Sequence, residues 1–234
     1  MRGVAAVAVI AAAAFAVPAI AQELGPIDVK VKVKVIPNKV GTPKHPQPIK
    51  VRLDAELIAE DLSFERPIVD HGTVLLGKGG VWNGGKFPKC TAEILNRRGL
   101  DACPKGSIFG HGYATGYADT VRTTPKITVV NGGAKEAYGY VQLTNPARVN
   151  VAVVTKIKKR TGKWSYQLDF KVPESLQIVA GVPISLTKLH LELGNKNILA
   201  STYCPPDGRW KYESTSTLVD GRQPSIKGSV GCRR

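Results

Sequence analysis

After its first 21 residues this chain has no apolar run long enough to cross a bilayer. Nowhere in its 234 residues does an apolar stripe persist at helical spacing. The first absence leaves the extreme N-terminus as the one place for a membrane helix. The second excludes helical bundles and coiled coils, and no segment repeats another. Aromatic residues are only 6% of the chain and no nucleic-acid-binding module signature is present, so nucleic acid is not an expected partner. There is no C-x-x-C pair, and the four histidines (His45, His71, His111 and His190) are scattered. Neither a zinc site nor any other metal or cofactor is therefore expected. Acidic residues are also scarce: 18 stand against 33 basic ones, for a formal charge of +15. That balance favours anionic partners such as wall polymers or acidic lipids, with solubility and a high-pI background as the rival reading.

What is present begins with a leader. Arg2 precedes an apolar stretch, Val4 to Ala21, that ends in Ala19-Ile20-Ala21 before Gln22. This is the layout of a secretory signal peptide over residues 1–21, cleaved to leave 22–234 as a single domain. An uncleaved anchor is the rival reading, but the run is mostly alanine and carries Pro18 near its end. Export makes the protein extracellular, with no stable membrane span once the leader is gone. It also gives meaning to four cysteines: Cys90, Cys103, Cys204 and Cys232. An even count in an exported chain implies disulfides, and four cysteines allow three connectivities. The sequential pairing, Cys90 with Cys103 and Cys204 with Cys232, is the expected one.

The rest reads as strand and turn. From Ile27 to Ile36 apolar residues alternate with Asp28, Lys30, Lys32 and Lys34, the period of a half-buried strand. The three lysines either touch an anionic surface or guard an edge strand, and the edge reading is favoured. Proline-rich 37–48 is a connection, and Ile49–Leu57 alternates again, with a helical turn possible from Ala55. Val74–Leu76 is a short strand and Gly77–Lys86 a glycine-rich loop. Thr91–Arg98 forms about two helical turns, with Thr91 as N-cap and Gly99 as stop. Extended structure returns over Ser107–Thr115, where glycines point to close backbone approach or a bulge. Asn131-Gly132 and Asp220-Gly221 are turn signals. Val149–Ile157 and Trp164–Val172 make a hairpin. Leu186 and Leu189 fall on opposite parities, which a bulge near Thr187 or Lys188 reconciles. The fold class is all-β: an antiparallel β-sandwich of about a dozen strands with one short disulfide-clamped helix.

The quoted pieces FPKC (Phe87–Cys90), ACPKGSIFGHG (Ala102–Gly112) and YCPPDGRW (Tyr203–Trp210), with a final Cys232, resemble secreted disulfide-containing β-sandwich proteins of high-GC Gram-positive bacteria. The resemblance spans Phe87 to Cys232. It implies a β-sandwich body and the same sequential cysteine pairing, and it carries no activity.

Candidate chemistry is thin. Gly80–Lys86 matches G-x-x-x-x-G-K, but Phe87 stands where Ser or Thr would bind magnesium, and no strand–helix frame surrounds it. Ser107 has Lys105 where a nucleophile elbow needs glycine. Asp70 and His71 are adjacent on an extended segment and should point apart. Asp54, Glu56, Glu60, Asp61 and Glu65 read as a solvated face rather than a carboxylate pair for glycoside cleavage. His111, between Gly110 and Gly112, is the most site-like histidine and anchors the alternative reading, a small secreted polysaccharide hydrolase. The strongest binding candidate is a hairpin tip: Lys156, Lys158, Lys159, Arg160 and Lys163 beside Trp164. The expectation is a monomeric, non-enzymatic secreted protein that binds anionic wall polymer or polysaccharide through this basic surface. A purely structural envelope component is the third reading.

Overall fold

A computed structural model describes residues 27–59, 67–194 and 196–234. The expected leader (1–21) and Glu60, Asp61 and Glu65 lie outside the described residues.

Alternation dictates the strands. In β1 (Ile27–Ile36) Ile27 and Val29 to Val35 are half-buried on one face, while Asp28 and the three lysines are exposed on the other. After a two-residue strand, β2 (Gln47–Pro48), β3 (Lys50–Ala59) keeps the same alternation and pairs with β1 from Ile36↔Lys50 to Ile27↔Ala59. The helical turn considered from Ala55 does not form, because those residues complete this ladder. β4 (Val69–Gly77) is longer than the apolar triplet at its centre. The glycine-rich stretch that follows is not all loop. It holds β5 (Gly80–Trp82) and a 3₁₀ turn at Gly84–Lys86.

The helix α1 (Ala92–Arg98) starts and stops as expected. Thr91 Oγ1 accepts the Ile94 N–H at 3.2 Å, and Gly99 adopts φ 77°, which glycine reaches without a Cβ clash. The strands then follow closely: β6 (Ile108–Ala118), β7 (Val121–Thr123), β8 (Lys126–Asn131), β9 (Glu136–Leu143), β10 (Val149–Lys159) and β11 (Trp164–Lys171). A single helical turn, α2 (Glu174–Gln177), leads into β12 (Ile178–Val179) and β13 (Val182–Leu193). The chain closes with β14 (Leu199–Ser201), β15 (Arg209–Leu218) and β16 (Ser225–Gly231).

One sheet of 13 strands forms the body. Eleven lie on a single path, β1-β3-β13-β6-β8-β9-β10-β11-β4-β15-β16, with β7 paired to β6 and β12 to β13. Every step along the path is antiparallel. The two layers therefore arise from one sheet that curls over rather than from two separate sheets. Its last strand comes back to its first: Lys39 and Arg233 form an isolated parallel bridge. Val40 N–H donates to Arg233 O at 3.0 Å, and Arg233 N–H to Asn38 O at 2.9 Å.

Two apolar clusters fill the inside of the curl. Phe109, Val129, Ala137, Ile157 and Ile198 pack with Leu191, Leu193, Tyr166 and Leu168. They occupy the end at which β1, β8, β10 and β13 finish, the upper end. A small sheet, β2-β14-β5, contributes Trp82 and Leu199 to this cluster and covers that end. Leu57, Val69 and Leu218 gather with Ile27, Phe170 and Leu186 at the lower end. The close approach signalled by the β6 glycines is real. A Cβ on Gly112 would strike the His190 carbonyl, and one on Gly116 the Ser185 carbonyl, both on β13. The parity break in β13 is a register shift between Leu186 and Lys188.

The helix lies on the outer face. Leu95, fully buried, packs with Cys90, Val130, Tyr138, Tyr140 and Ala152. β11 reaches β10 only from Val154 to Lys159, so the lower part of β10 is left without a strand on that side. Asn96 Oδ1 on α1 accepts the Ala152 N–H there at 2.8 Å, so the helix satisfies an edge the sheet leaves open. Both disulfides form as expected: Cys90–Cys103 clamps the helical loop, and Cys204–Cys232 ties the residue after β16 to the segment that follows β14. The all-β, antiparallel fold with a disulfide-clamped helix is thus in place.

Candidate functional site: the basic upper end

The β10–β11 hairpin places its tip at the upper end. Lys159 pairs with Tyr166, and the Arg160 N–H donates to Ser165 O at 2.9 Å. Gly162 turns the chain at φ 80° with open space around it. Lys163 Nζ sits 4.5 Å from the Trp164 ring centre, a cation–π contact that holds the ammonium at the tip. The structure divides the six residues singled out in the sequence. Lys159, Arg160, Lys163 and Trp164 belong to the tip. Lys158 is turned to the flank, where Nζ meets Asp169 Oδ2 at 2.8 Å. Lys156 is in register with Asp169 on one side and Glu136 on the other. Burial pushes the Asp169 carboxyl up, but hydrogen bonds from Gln167, Lys158 and Thr73 outweigh it and hold the group below its ordinary value.

Other turns bring more cations to the same end. Trp164 pairs with Gly77, so Lys78 lies across from Lys163. The Ile157 N–H donates to Lys135 O at 2.7 Å, which sets the β8–β9 turn beside the hairpin. The 3₁₀ turn carrying Lys86 packs Gly85 against Ala134 of that turn, and the Lys89 side chain runs past Gly133. Asn131 fixes this arrangement. Its Nδ2 donates to Gly84 O at 2.9 Å, Pro88 O at 2.9 Å and Phe87 O at 3.3 Å, and its Oδ1 accepts the Gly133 N–H at 3.0 Å. Trp82 Nε1 donates to Gly133 O at 3.0 Å from the inside.

Lys78, Lys86, Lys89, Lys135, Lys159, Arg160 and Lys163 are all exposed. Among the described residues no carboxylate lies within 4.0 Å of any of them. Lys78, Lys86, Lys89 and Lys135 were not part of the sequence-derived site. No local motif marks them. Only strand order shows that their turns share one end with the hairpin.

The other candidates fall elsewhere. His111 is exposed on the outer face of β6, opposite Glu192 and Thr128. It lines a cavity of about 300 Å³ with Lys50, Arg52, Glu192 and Phe109. Glu192 is the one carboxylate lining that cavity, and Arg52 engages it, Nε to Oε1, at 2.8 Å. Next to it Tyr113 stacks on His190 at 5.1 Å, and His190 Nδ1 lies 2.6 Å from Asp54 Oδ1. Glu56 pairs with Lys188 at 3.0 Å. Asp54 and Glu56 are thus part of a cross-strand ladder of paired charges on the outer face. Lys30, Lys32 and Lys34 continue that face on β1, an edge strand of the sheet, which is where the favoured reading put them.

Among the candidate site residues one sequence expectation fails. Asp70 and His71 do meet, Oδ2 to Nδ1, at 2.8 Å. Opposite them the β4–β15 ladder shifts register between Thr217 and Leu218, which breaks the regular alternation. The hydrogen bond from His71, with a second from Gln177, holds the Asp70 carboxyl below its ordinary value. Among the described residues no three His, Cys, Asp or Glu side chains converge as metal ligands would, and no helix is long and apolar enough to cross a membrane. No family model, curated protein or solved structure matches the chain.

Proposed function

We propose that the protein acts outside the cytoplasm as a non-enzymatic, monomeric binder of anionic cell-envelope or extracellular polymer, which it grips with the basic upper end. One observation carries this reading: seven exposed cations from separate turns share that end, and among the described residues none has a carboxylate within 4.0 Å. Such a surface attracts a polyanion over a Debye length and meets it with Lys163 and Trp164 at its centre. Turns present a convex surface, which suits a polymer laid across it better than a small molecule enclosed in it. Two disulfides suit an oxidising compartment.

Retention of the purified protein on isolated cell wall, followed across a salt series, tests the proposal. Binding should weaken steadily as salt shortens the screening length from about 30 Å at 0.01 M to about 8 Å at 0.15 M. The triple variant Lys159→Ala, Arg160→Ala, Lys163→Ala should elute at markedly lower salt, whereas Lys30→Ala, Lys32→Ala, Lys34→Ala should elute near the wild type. No retention at low salt, or equal loss in both triples, sinks the reading. Polysaccharide hydrolysis at His111 is the second reading, since His111 lines a cavity. The engagement of that cavity's carboxylate by Arg52 weighs against it, and release of reducing ends that His111→Ala abolishes would reinstate it.

A further inference from the structure

The sheet closes on an odd number of antiparallel strands. Alternation along an odd path makes the two edges run the same way, so β1 and β16 meet in parallel. Among the described residues they are joined at the Lys39–Arg233 bridge, and below it β1 and β16 form no ladder with each other. A cavity of about 480 Å³ opens at this seam just under the bridge. Val33 and Val35 line one wall and Val230 the other, with Ile36 and Pro37 at the top. Lys34 and Arg233 stand at its rim, and among the described residues no acidic one lines it.

The inward residues beside the seam are only partly covered. Every inward residue of β1, from Ile27 to Val35, remains partly exposed, as do Ile226 and Val230 of β16 and Tyr212 of β15. Val129, Ala137 and Val141, inward on β8 and β9, are buried, as are Leu57 and Leu218 of β3 and β15 at the lower end. Beside the cavity, Val33, Val35 and Val230 form an apolar wall still partly open to solvent. Apolar surface of that kind gains by accepting an alkyl group, and the cavity lies in the volume range of small-molecule sites. Two rim cations without a carboxylate within 4.0 Å among the described residues select the head group.

We propose that the β1–β16 seam binds the alkyl chain of an anionic amphiphile, with the chain against Val33, Val35 and Val230 and the anionic head on Lys34 and Arg233. This site is separate from the basic turns and does not depend on them.

Displacement of dansyl-labelled undecanoic acid from the purified protein, below micellar concentrations, reads the site. Palmitate and hexadecyl phosphate should both displace the probe, and the stronger of the two identifies the head. Hexadecanol should be about tenfold weaker, as should palmitate against Lys34→Ala, Arg233→Ala, since exposed charge contacts are individually modest. Val33→Trp, which fills the cavity, should abolish uptake with the circular dichroism spectrum unchanged. If that variant misfolds, Val230→Phe blocks the same space from the opposite wall. The hairpin triple variant should bind the probe like the wild type, which separates this proposal from the polymer-binding one. Absence of saturable probe binding overturns the inference. So does equal displacement by hexadecanol and palmitate, or full uptake in a folded cavity-filling variant. A concentration-dependent dimer without probe uptake would assign the seam to a second copy of the chain and overturn it as well.

Discussion

Replacement of Asn131 should destabilise the protein through the loss of a single side chain. Asn131 is fully buried at the last position of β8. Its backbone already links two segments: its N–H donates to Ser107 O at 2.8 Å, and its carbonyl accepts the Cys90 N–H at 2.9 Å. Its side chain then holds the 84–88 loop and the β8–β9 turn together. Asn131→Ala leaves the Gly133 N–H, on a buried residue, without a partner, and leaves the buried Gly84 carbonyl with the Phe87 N–H at 3.3 Å. The Phe87 and Pro88 carbonyls belong to more exposed residues and can turn to water. A buried orphan costs about 1–3 kcal/mol, and the substitution should cost about that much, read as a lower urea midpoint at unchanged slope. Asn131→Asp keeps the shape but points a carboxylate at three carbonyls. Its folded-state pKa is then raised above the unfolded value. The penalty should be full at neutral pH and shrink as pH falls through the folded pKa, whereas Asn131→Ala shows no such recovery. An alanine variant within about 0.5 kcal/mol of wild type would place it among ordinary surface changes and refute the argument. An aspartate variant that gains nothing on acidification would refute its electrostatic half.

Loss of the Cys90–Cys103 bond, which spans 13 residues, should cost about 3 kcal/mol in the chain-entropy model, measured by urea unfolding of Cys90→Ser, Cys103→Ser. Loss of Cys204–Cys232, spanning 28, should cost about 3.5 kcal/mol and also raise hydrogen exchange selectively in Ser225–Gly231, because that bond anchors the residue next to β16. Tyr138 should resist alkaline titration. Burial, reinforced by its hydrogen bond to Glu136, pushes it up to about 12, and burial also raises Tyr140 and Tyr212. A raised tyrosine contributes stability that is intact below its unfolded pKa of about 10 and is lost as pH climbs through the folded value. Absorbance at alkaline pH should therefore show part of the seven tyrosines ionising only with unfolding, and Tyr138→Phe should flatten stability over that window.

Much of the fold was legible because its strands have one wet face. β1 could be read residue by residue, since Lys30, Lys32 and Lys34 leave no other parity for the valines. The β13 bulge was legible for the same reason: Leu186 and Leu189 cannot share a face without it. Short pieces such as β5 and β12 carried no alternation: β12 exists because the longer β13 offers it an edge, and β5 because it pairs with the equally short β14. The Asn131-Gly132 signal marked the right turn for the wrong reason. Asn131 acts through its side chain, as an anchor for a loop more than 40 residues earlier in the chain, and a local rule has no access to that.

The hairpin half of the candidate site was visible because its cations are contiguous, whereas Lys78, Lys86, Lys89 and Lys135 join it only through strand order. The seam follows from a quantity that counting strands approximately cannot supply, the parity of the closed path. An even antiparallel path could close with a regular antiparallel pair between its edges. Eleven strands cannot, and β7 and β12, which lie off the path, do not change the count. A hairpin inserted along the path adds two strands and preserves the parity, so lengthening the sheet would not remove the parallel junction. The parallel meeting of β1 and β16 is therefore a consequence of topology, whereas the gap between them is not, since parallel strands can pair along their length. The sequence around it, valines inward and Lys34 and Arg233 at the rim, determines what that gap can hold.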